Sequence, residues 1–155
     1  MKETAVLLHN IRSAHNVGSI FRTADAAGVM RIYLSGYTPI PVDRFGRPQK
    51  DIAKTALGAE QSVVWEYHET PFEILSALKQ SGWTMAGVEQ DKRAVDYRSF
   101  KTDGPVLCIM GNEVDGVSET MKDMCDVILE IPMHGKKESL NVSVAAGIIL
   151  FSLRA

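Results

Sequence analysis

Three separated stretches of the 155-residue chain carry polar side chains of types that do chemistry. In the first, Asn16 to Gly28, helical spacing gathers Val17, Ile20, Phe21, Ala24, Ala27 and Gly28 into one arc of ~120°, the width of a core-facing stripe. Arg22 points almost directly away from that arc, with Ser19 and Ala26 beside it and Asn16 and Thr23 toward its edge. Two readings stand together: an ordinary exposed helix arginine with Asn16 as the helix cap, or a guanidinium facing a ligand. The second stretch, Leu107 to Ser118, is an apolar strand that runs into a glycine-bounded polar loop, and ligands bind at such strand ends. Its Glu113 is either a catalytic or orienting carboxylate or a solvated loop charge. In the third, Ile131 to Ala146, a polar turn joins a strand to a helix, with Ser139 placed to cap it. Free N–H groups and the macrodipole would stabilise a carboxylate or phosphate near Ser139 and Asn141.

Several chemistries are excluded. Gly111 and Gly116 have the spacing of a phosphate loop, yet Val117 and Ser118 follow where Lys and Ser or Thr are required, so a nucleoside triphosphatase is not expected. No G-x-G-x-x-G follows a strand, which removes the usual dinucleotide site. His9, His15, His68 and His134 lack metal-ligand spacing, so no metal is expected. Cys108 lies within a strand and Cys125 closes an apolar helix, so neither is a nucleophile candidate, and their spacing gives neither a zinc ribbon nor a disulfide scaffold. The serines lack a G-x-S-x-G elbow. A net charge of -2 rules out a polybasic nucleic-acid protein, so any RNA or DNA site must be a local patch. The first apolar run is too short for a signal peptide, and the longest, Val142 to Leu153, is too short for a membrane span. A reducing cytoplasm is the expected compartment.

The elements that must position these residues alternate. Strands are expected at Ala5–Leu8, Arg31–Ser35, Val63–Tyr67, Trp83–Val88, Val106–Met110 and Val127–Ile131. Helices are expected at Asn16–Gly28, Phe72–Gln80 behind Pro71, Ser118–Met124 and Leu140–Leu153. This pattern predicts an α/β fold with a mostly parallel sheet, in one domain over residues 1–155. The loop Gly36 to Lys50, with three prolines, two glycines and the cations Arg44, Arg47 and Lys50, is either functional or a solvated excursion. The last helix places Val142, Val144, Ile148, Ile149, Leu150, Phe151 and Leu153 around nearly its whole circumference. One sheet face cannot cover that, and a homodimer interface is expected.

Taken together and in order, the three stretches resemble the SpoU or TrmH branch of the SPOUT RNA methyltransferases over essentially the whole chain. Asn16-Val17-Gly18-Ser19-Ile20-Phe21-Arg22 is similar to the family's first motif, N-x-G-x-x-x-R. Leu107 to Ser118 is similar to its second, with a G-x-E core, and Ile131 to Ser143 to its third. Lys54 to Glu60 resembles a further segment common in this branch. The resemblance implies a Rossmann-like fold with a deep trefoil knot at the carboxyl end, which general chain topology would argue against. It implies S-adenosyl-L-methionine as cofactor, held largely by backbone groups at Gly111, Ile131, Met133 and Leu140, with Gly87 or Val88 after the Trp83–Val88 strand. It also implies an obligate homodimer and methyl transfer to a ribose 2′-hydroxyl, with Asn16, Arg22, Glu113, Ser139 and Asn141 standing where the functional residues stand.

Family accounts cast the arginine as a general base. A guanidinium gives up its proton reluctantly, so we expect Arg22 to bind the neighbouring phosphate and stabilise the developing alkoxide instead. Arg12, Arg22, Arg44, Arg47, Lys50, Lys136 and Lys137 are the expected RNA patch. No separate amino-terminal RNA-binding domain like that of larger relatives is expected, so specificity is expected from the core dimer, with tRNA favoured on size. Ribosomal RNA, a base nitrogen as acceptor, and a noncatalytic RNA-binding domain on the same scaffold remain the alternatives.

Overall fold

The computed structural model describes residues 2–155. Seven strands, β1 (Thr4–His9), β2 (Arg31–Ser35), β3 (Trp65–His68), β4 (Thr84–Val88), β5 (Val95–Asp96), β6 (Val106–Met110) and β7 (Val127–Glu130), form one sheet in the order β3-β2-β1-β6-β4-β7-β5. Every pairing is parallel. The apolar runs explain the centre: Ala5–Leu8 of β1 and Val106–Ile109 of β6 are fully buried, as strands covered on both faces must be.

Alternate residues divide the core between the two faces. Val6 and Leu8 pack with Val17, Ile20, Phe21 and Ala24 of α1 (Ala14–Ala27), with Ile52 and Ala56 of α2 (Lys50–Ala56), and with Ala146, Ile149 and Leu150 of α6 (Val142–Ser152). Short α3 (Ala59–Ser62) completes that side through Ala59. Ala5 and Leu7 face the other way, onto Ile74 and Leu75 of α4 (Phe72–Gln80) and Met121 of α5 (Glu119–Met124). No described helix is long and apolar enough to cross a membrane.

The core-facing arc of α1 is buried as its spacing predicts, apart from Gly28, which is exposed, while Arg22 lies on the exposed side. Its cap differs from the expectation. Ser13, not Asn16, caps α1 by accepting the Asn16 N–H at 3.2 Å, because the helix starts two residues earlier, at Ala14. At the other end Gly28 adopts φ 72°, a left-handed conformation that suits glycine. Gly18 serves a different purpose: a Cβ there would stand 2.0 Å from Thr55 Oγ1 and 2.3 Å from the Ile52 carbonyl oxygen. Its bare backbone lets α2 lie directly on α1.

The sequence reading did not include α2, α3 or β5, which are short, and it started β3 two residues early. Lys50, expected in the long loop, opens α2 instead. Asn141, not Ser139, caps α6, accepting the Ser143 N–H at 2.8 Å, so the helix begins at Val142 rather than Leu140. The end of the chain is tied back by Arg154, which donates to the carbonyls of Ala27 at 2.7 Å, Lys2 at 3.0 Å and Gly28. After β7, α6 packs back against β6 and the single helical turn at Tyr97–Ser99. This is the region where the resemblance expects the chain to thread through itself.

Candidate active site

From β1 the chain runs toward β2 on one side, whereas from β6 it runs toward β7 on the other. Their carboxyl ends therefore open a crevice between diverging loops, the usual position of a ligand in such sheets. The loop after β6 closes on itself. Gly116 donates its N–H to the Asn112 carbonyl at 2.9 Å, and the Asn112 side-chain oxygen accepts from Val114 and Asp115, both at 2.8 Å. A Cβ on Gly111 would stand 2.4 Å from the Gly116 carbonyl oxygen. The paired glycines thus serve close backbone approach within the loop, consistent with the missing phosphate-binding lysine.

Glu113 projects from this loop to the amino end of α1. Its carboxylate accepts the N–H groups of Arg12 at 3.1 Å and Ser13 at 3.2 Å, and the Asn16 side-chain amide at 3.3 Å. Burial pushes the carboxyl pKa up, but the hydrogen bonds outweigh it and hold the group below its ordinary value. A lowered pKa means stability that is present above the unfolded-state value of ~4.3 and lost as pH falls through the folded value. Glu113→Gln is therefore expected to lower the urea midpoint at neutral pH, with the gap from the parent protein closing below roughly pH 4. A gap of equal size across that range would show that the charge is not what fastens the loop to α1.

Asn16 passes the link onward, its side-chain oxygen accepting from the Asn141 amide at 3.3 Å. Asn141 in turn accepts from the Ser143 hydroxyl at 2.5 Å. One hydrogen-bonded chain, Glu113–Asn16–Asn141–Ser143, thereby joins all three stretches singled out in the sequence. Ser139 lines the crevice from the exposed segment before α6.

The crevice encloses about 570 Å³, and Val88, Gly111, Ile131, Met133 and Leu140 all line it. Gly87 does not: it lies buried one residue back, where a Cβ would meet Cys125 Sγ at 2.9 Å. Arg22 also stands outside, six residues and ~9 Å along the α1 axis from Asn16. It is exposed and forms none of the ion pairs found among the described residues. Arg12, Arg44, Arg47, Lys50, Lys136 and Lys137 are exposed around the molecule, and none lines the crevice.

Two residues lining the crevice escaped the sequence reading. Glu89, just past β4, accepts the Val117 N–H at 2.9 Å, and its carboxylate occupies the space that a side chain on Gly116 would need. It staples the loop to the neighbouring strand end, 28 residues away in sequence. Lys122 lines the same crevice and is held by Asp91 at 3.1 Å and Glu119 at 3.2 Å. A carboxylate immediately after a buried strand was the available signal for Glu89, but nothing local names its partner. Burial pushes the Cys108 thiol up to about 12 and, with less burial, the Cys125 thiol up to about 11, away from thiolate chemistry.

Sheet order, crevice and linked motifs define a SpoU-type α/β protein, and comparison with known proteins agrees. The model of the SpoU rRNA Methylase family matches residues 3–151, and the chain belongs to that family. It is 37% identical over 150 residues to a Staphylococcus haemolyticus member of the TrmH family of tRNA/rRNA methyltransferases, covering 97% of this chain and 57% of that protein. The chain thus spans a little over half the length of that relative. Among solved structures, it is similar to a TrmH/SpoU tRNA modifying enzyme of A. aeolicus, with a TM-score of 0.84 and 30% identity over 98% of this chain and 74% of that one. An AdoMet-bound rRNA methyltransferase from Sinorhizobium meliloti superposes with a TM-score of 0.87 and 30% identity, over 98% of this chain and 56% of that one.

Proposed function

We propose that this chain is an S-adenosyl-L-methionine-dependent RNA methyltransferase that methylates a ribose 2′-hydroxyl, with tRNA as its substrate. The observation that carries the reading is the Glu113–Asn16–Asn141 hydrogen-bonded chain, which fastens three distant stretches together at the mouth of one crevice. The relatives' descriptions as tRNA/rRNA methyltransferases, one of them AdoMet-bound, support it.

The crevice fits the cofactor. Its volume is that of a small-molecule site. Ile131, Met133, Leu140 and Val142 would supply apolar surface to a purine, and Glu89, Asp115 and Glu130, on the same lining, would supply negative charge to a sulfonium and an ammonium. Gly111, buried against the Gly116 and Val117 backbone, keeps the loop compact at the crevice wall. When bound, the cofactor supplies a methyl group on a positively charged sulfur. We assign Gly111, Ile131, Met133, Leu140 and Val88 to its binding, with Gly87 supporting Val88 from beneath.

Asn16 and Asn141 position the acceptor ribose, and Glu113 holds Asn16 and the amino end of α1 in place. Ser139, on the crevice wall, is placed to hydrogen-bond the acceptor. Arg22 neutralises the phosphate beside the target and stabilises charge on the 2′-oxygen as its proton is lost. The cations at Arg12, Arg44, Arg47, Lys50, Lys136 and Lys137 hold the RNA backbone. We further propose that the chain is a single domain that works as a homodimer through α6, where Val144 and Phe151 remain about half exposed. Thr23, next to Arg22, is the side chain nearest Gly147 of α6, so Arg22 lies at the margin of that surface.

The test is to incubate the protein with radiolabelled S-adenosyl-L-methionine and, separately, tRNA and ribosomal RNA, then digest to nucleosides. Label in a 2′-O-methylated nucleoside from tRNA is the expected product. Label on a base, or only in ribosomal RNA, would overturn the acceptor or the substrate respectively. Absence of cofactor binding would overturn the enzyme reading altogether.

A further inference from the structure

The long loop between β2 and α2 ends in a built structure. Val42 and Pro48 pair as an antiparallel bridge, and Asp43 organises the tip between them. Its carboxylate accepts the N–H groups of Phe45 at 2.8 Å and Arg47 at 3.0 Å and the Arg47 Nε at 2.9 Å, while its carbonyl accepts from Gly46 at 2.9 Å. Gly46 takes φ 76°, as so tight a turn requires. Presented on this turn is Phe45, 66% exposed, with the Arg44 and Arg47 guanidinium carbons 4.8 Å and 4.9 Å from its ring centroid.

One foot of the loop is fastened to the crevice, and the helix after the other foot is fastened to α1. At one end the Tyr37 hydroxyl accepts from the Asn112 side-chain amide at 2.6 Å. At the other, Thr55 of the following helix donates to the His15 carbonyl at 2.8 Å. The loop is therefore tied at its start to the residue before Glu113 and, through the helix that follows it, to the residue before Asn16.

We propose that the Arg44–Phe45–Arg47 tip stacks an unpaired base of the RNA substrate, so that the enzyme grips a single-stranded nucleotide near the one it modifies. This rests on the reading of the chain as an RNA methyltransferase and adds to it the structural class of RNA that it takes. Arg47 is paired with Asp43 at 2.9 Å, whereas Arg44 forms none of the ion pairs found among the described residues, so the tip keeps a net positive charge that calls for an anionic partner. The exposed planes call for a flat ligand, and single-stranded bases stack on aromatic rings and on guanidinium planes alike. A fully paired duplex keeps its base faces stacked inside and would meet only the two charges.

The test measures binding of the full chain to a stem-loop RNA and to a fully paired duplex of equal length. The parent protein is expected to favour the stem-loop. Phe45→Leu should weaken stem-loop binding by about tenfold and leave duplex binding unchanged, and Phe45→Trp should restore the preference. The double variant Arg44→Glu, Arg47→Glu should weaken both. Phe45→Leu that alters neither affinity, or alters both equally, overturns the stacking role while leaving the methyltransferase reading intact. A parent protein that binds neither RNA overturns both.

Discussion

Replacing Arg22 with lysine is expected to lower methyl transfer by about a hundredfold or more while changing S-adenosyl-L-methionine affinity by less than about twofold. The substitution keeps the positive charge and removes the planar fork. If Arg22 acts by bidentate grip on a phosphate and by facing the growing charge on the 2′-oxygen, a point charge on a flexible stem is a poor substitute. The structure makes this a clean experiment. Arg22 is exposed, contributes nothing to the buried arc of α1, and lies outside the crevice lined by Gly111, Ile131 and Leu140. Thermal stability should therefore stay unchanged. Activity within about tenfold of the parent would refute the planar role and leave charge alone as the requirement.

A second large effect is expected at Gly111. A Cβ there would meet the carbonyl oxygen and carbon of Gly116 at 2.4 Å and 2.5 Å and the Val117 nitrogen at 2.6 Å, all of them backbone atoms that no rotamer change can move. Gly111→Ala must open the loop, which also strains the Glu89 hydrogen bond to Val117. Cofactor affinity, read by calorimetry, should fall by two orders of magnitude or more, and stability should drop by about 1–3 kcal/mol, the usual cost of overpacking. Gly135→Ala is the control, because nothing lies within 4 Å of the added carbon. If both alanine variants bind cofactor as the parent does, the Gly111 loop is not the cradle of the site.

Much of the scaffold was legible beforehand because its signals are local. Continuous apolar runs such as Ala5–Leu8 and Val106–Met110 read as buried strands, and the spacing of Val17, Ile20, Phe21 and Ala24 announced the buried side of α1. The elements that went unread are those with the least local signal: seven-residue α2, four-residue α3 and two-residue β5. Helix caps failed for a related reason. Ser13 and Asn141 are as ordinary in sequence as Asn16 and Ser139, and which of them caps depends on where neighbouring elements let the helix begin.

The candidate site divides the same way. Spacing by itself indicated which residues share a helix face or a strand end and left Arg22, Glu113 and Asn141 with two readings each; the resemblance of the three ordered stretches to one family is what put them, with Asn16, together as candidates. Only the tertiary structure decided which of these meet. Glu113 reaches Asn16 across 97 residues, and Asn141 reaches it across 125, because β6 inserts beside β1 and α6 folds back onto α1. The same order leaves Arg22 on the outer face and brings Glu89 beneath Gly116, a contact no periodicity announces. Periodicity is a property of adjacent residues, whereas strand order comes from the burial of whole faces against one another, and the site is assembled by that second process.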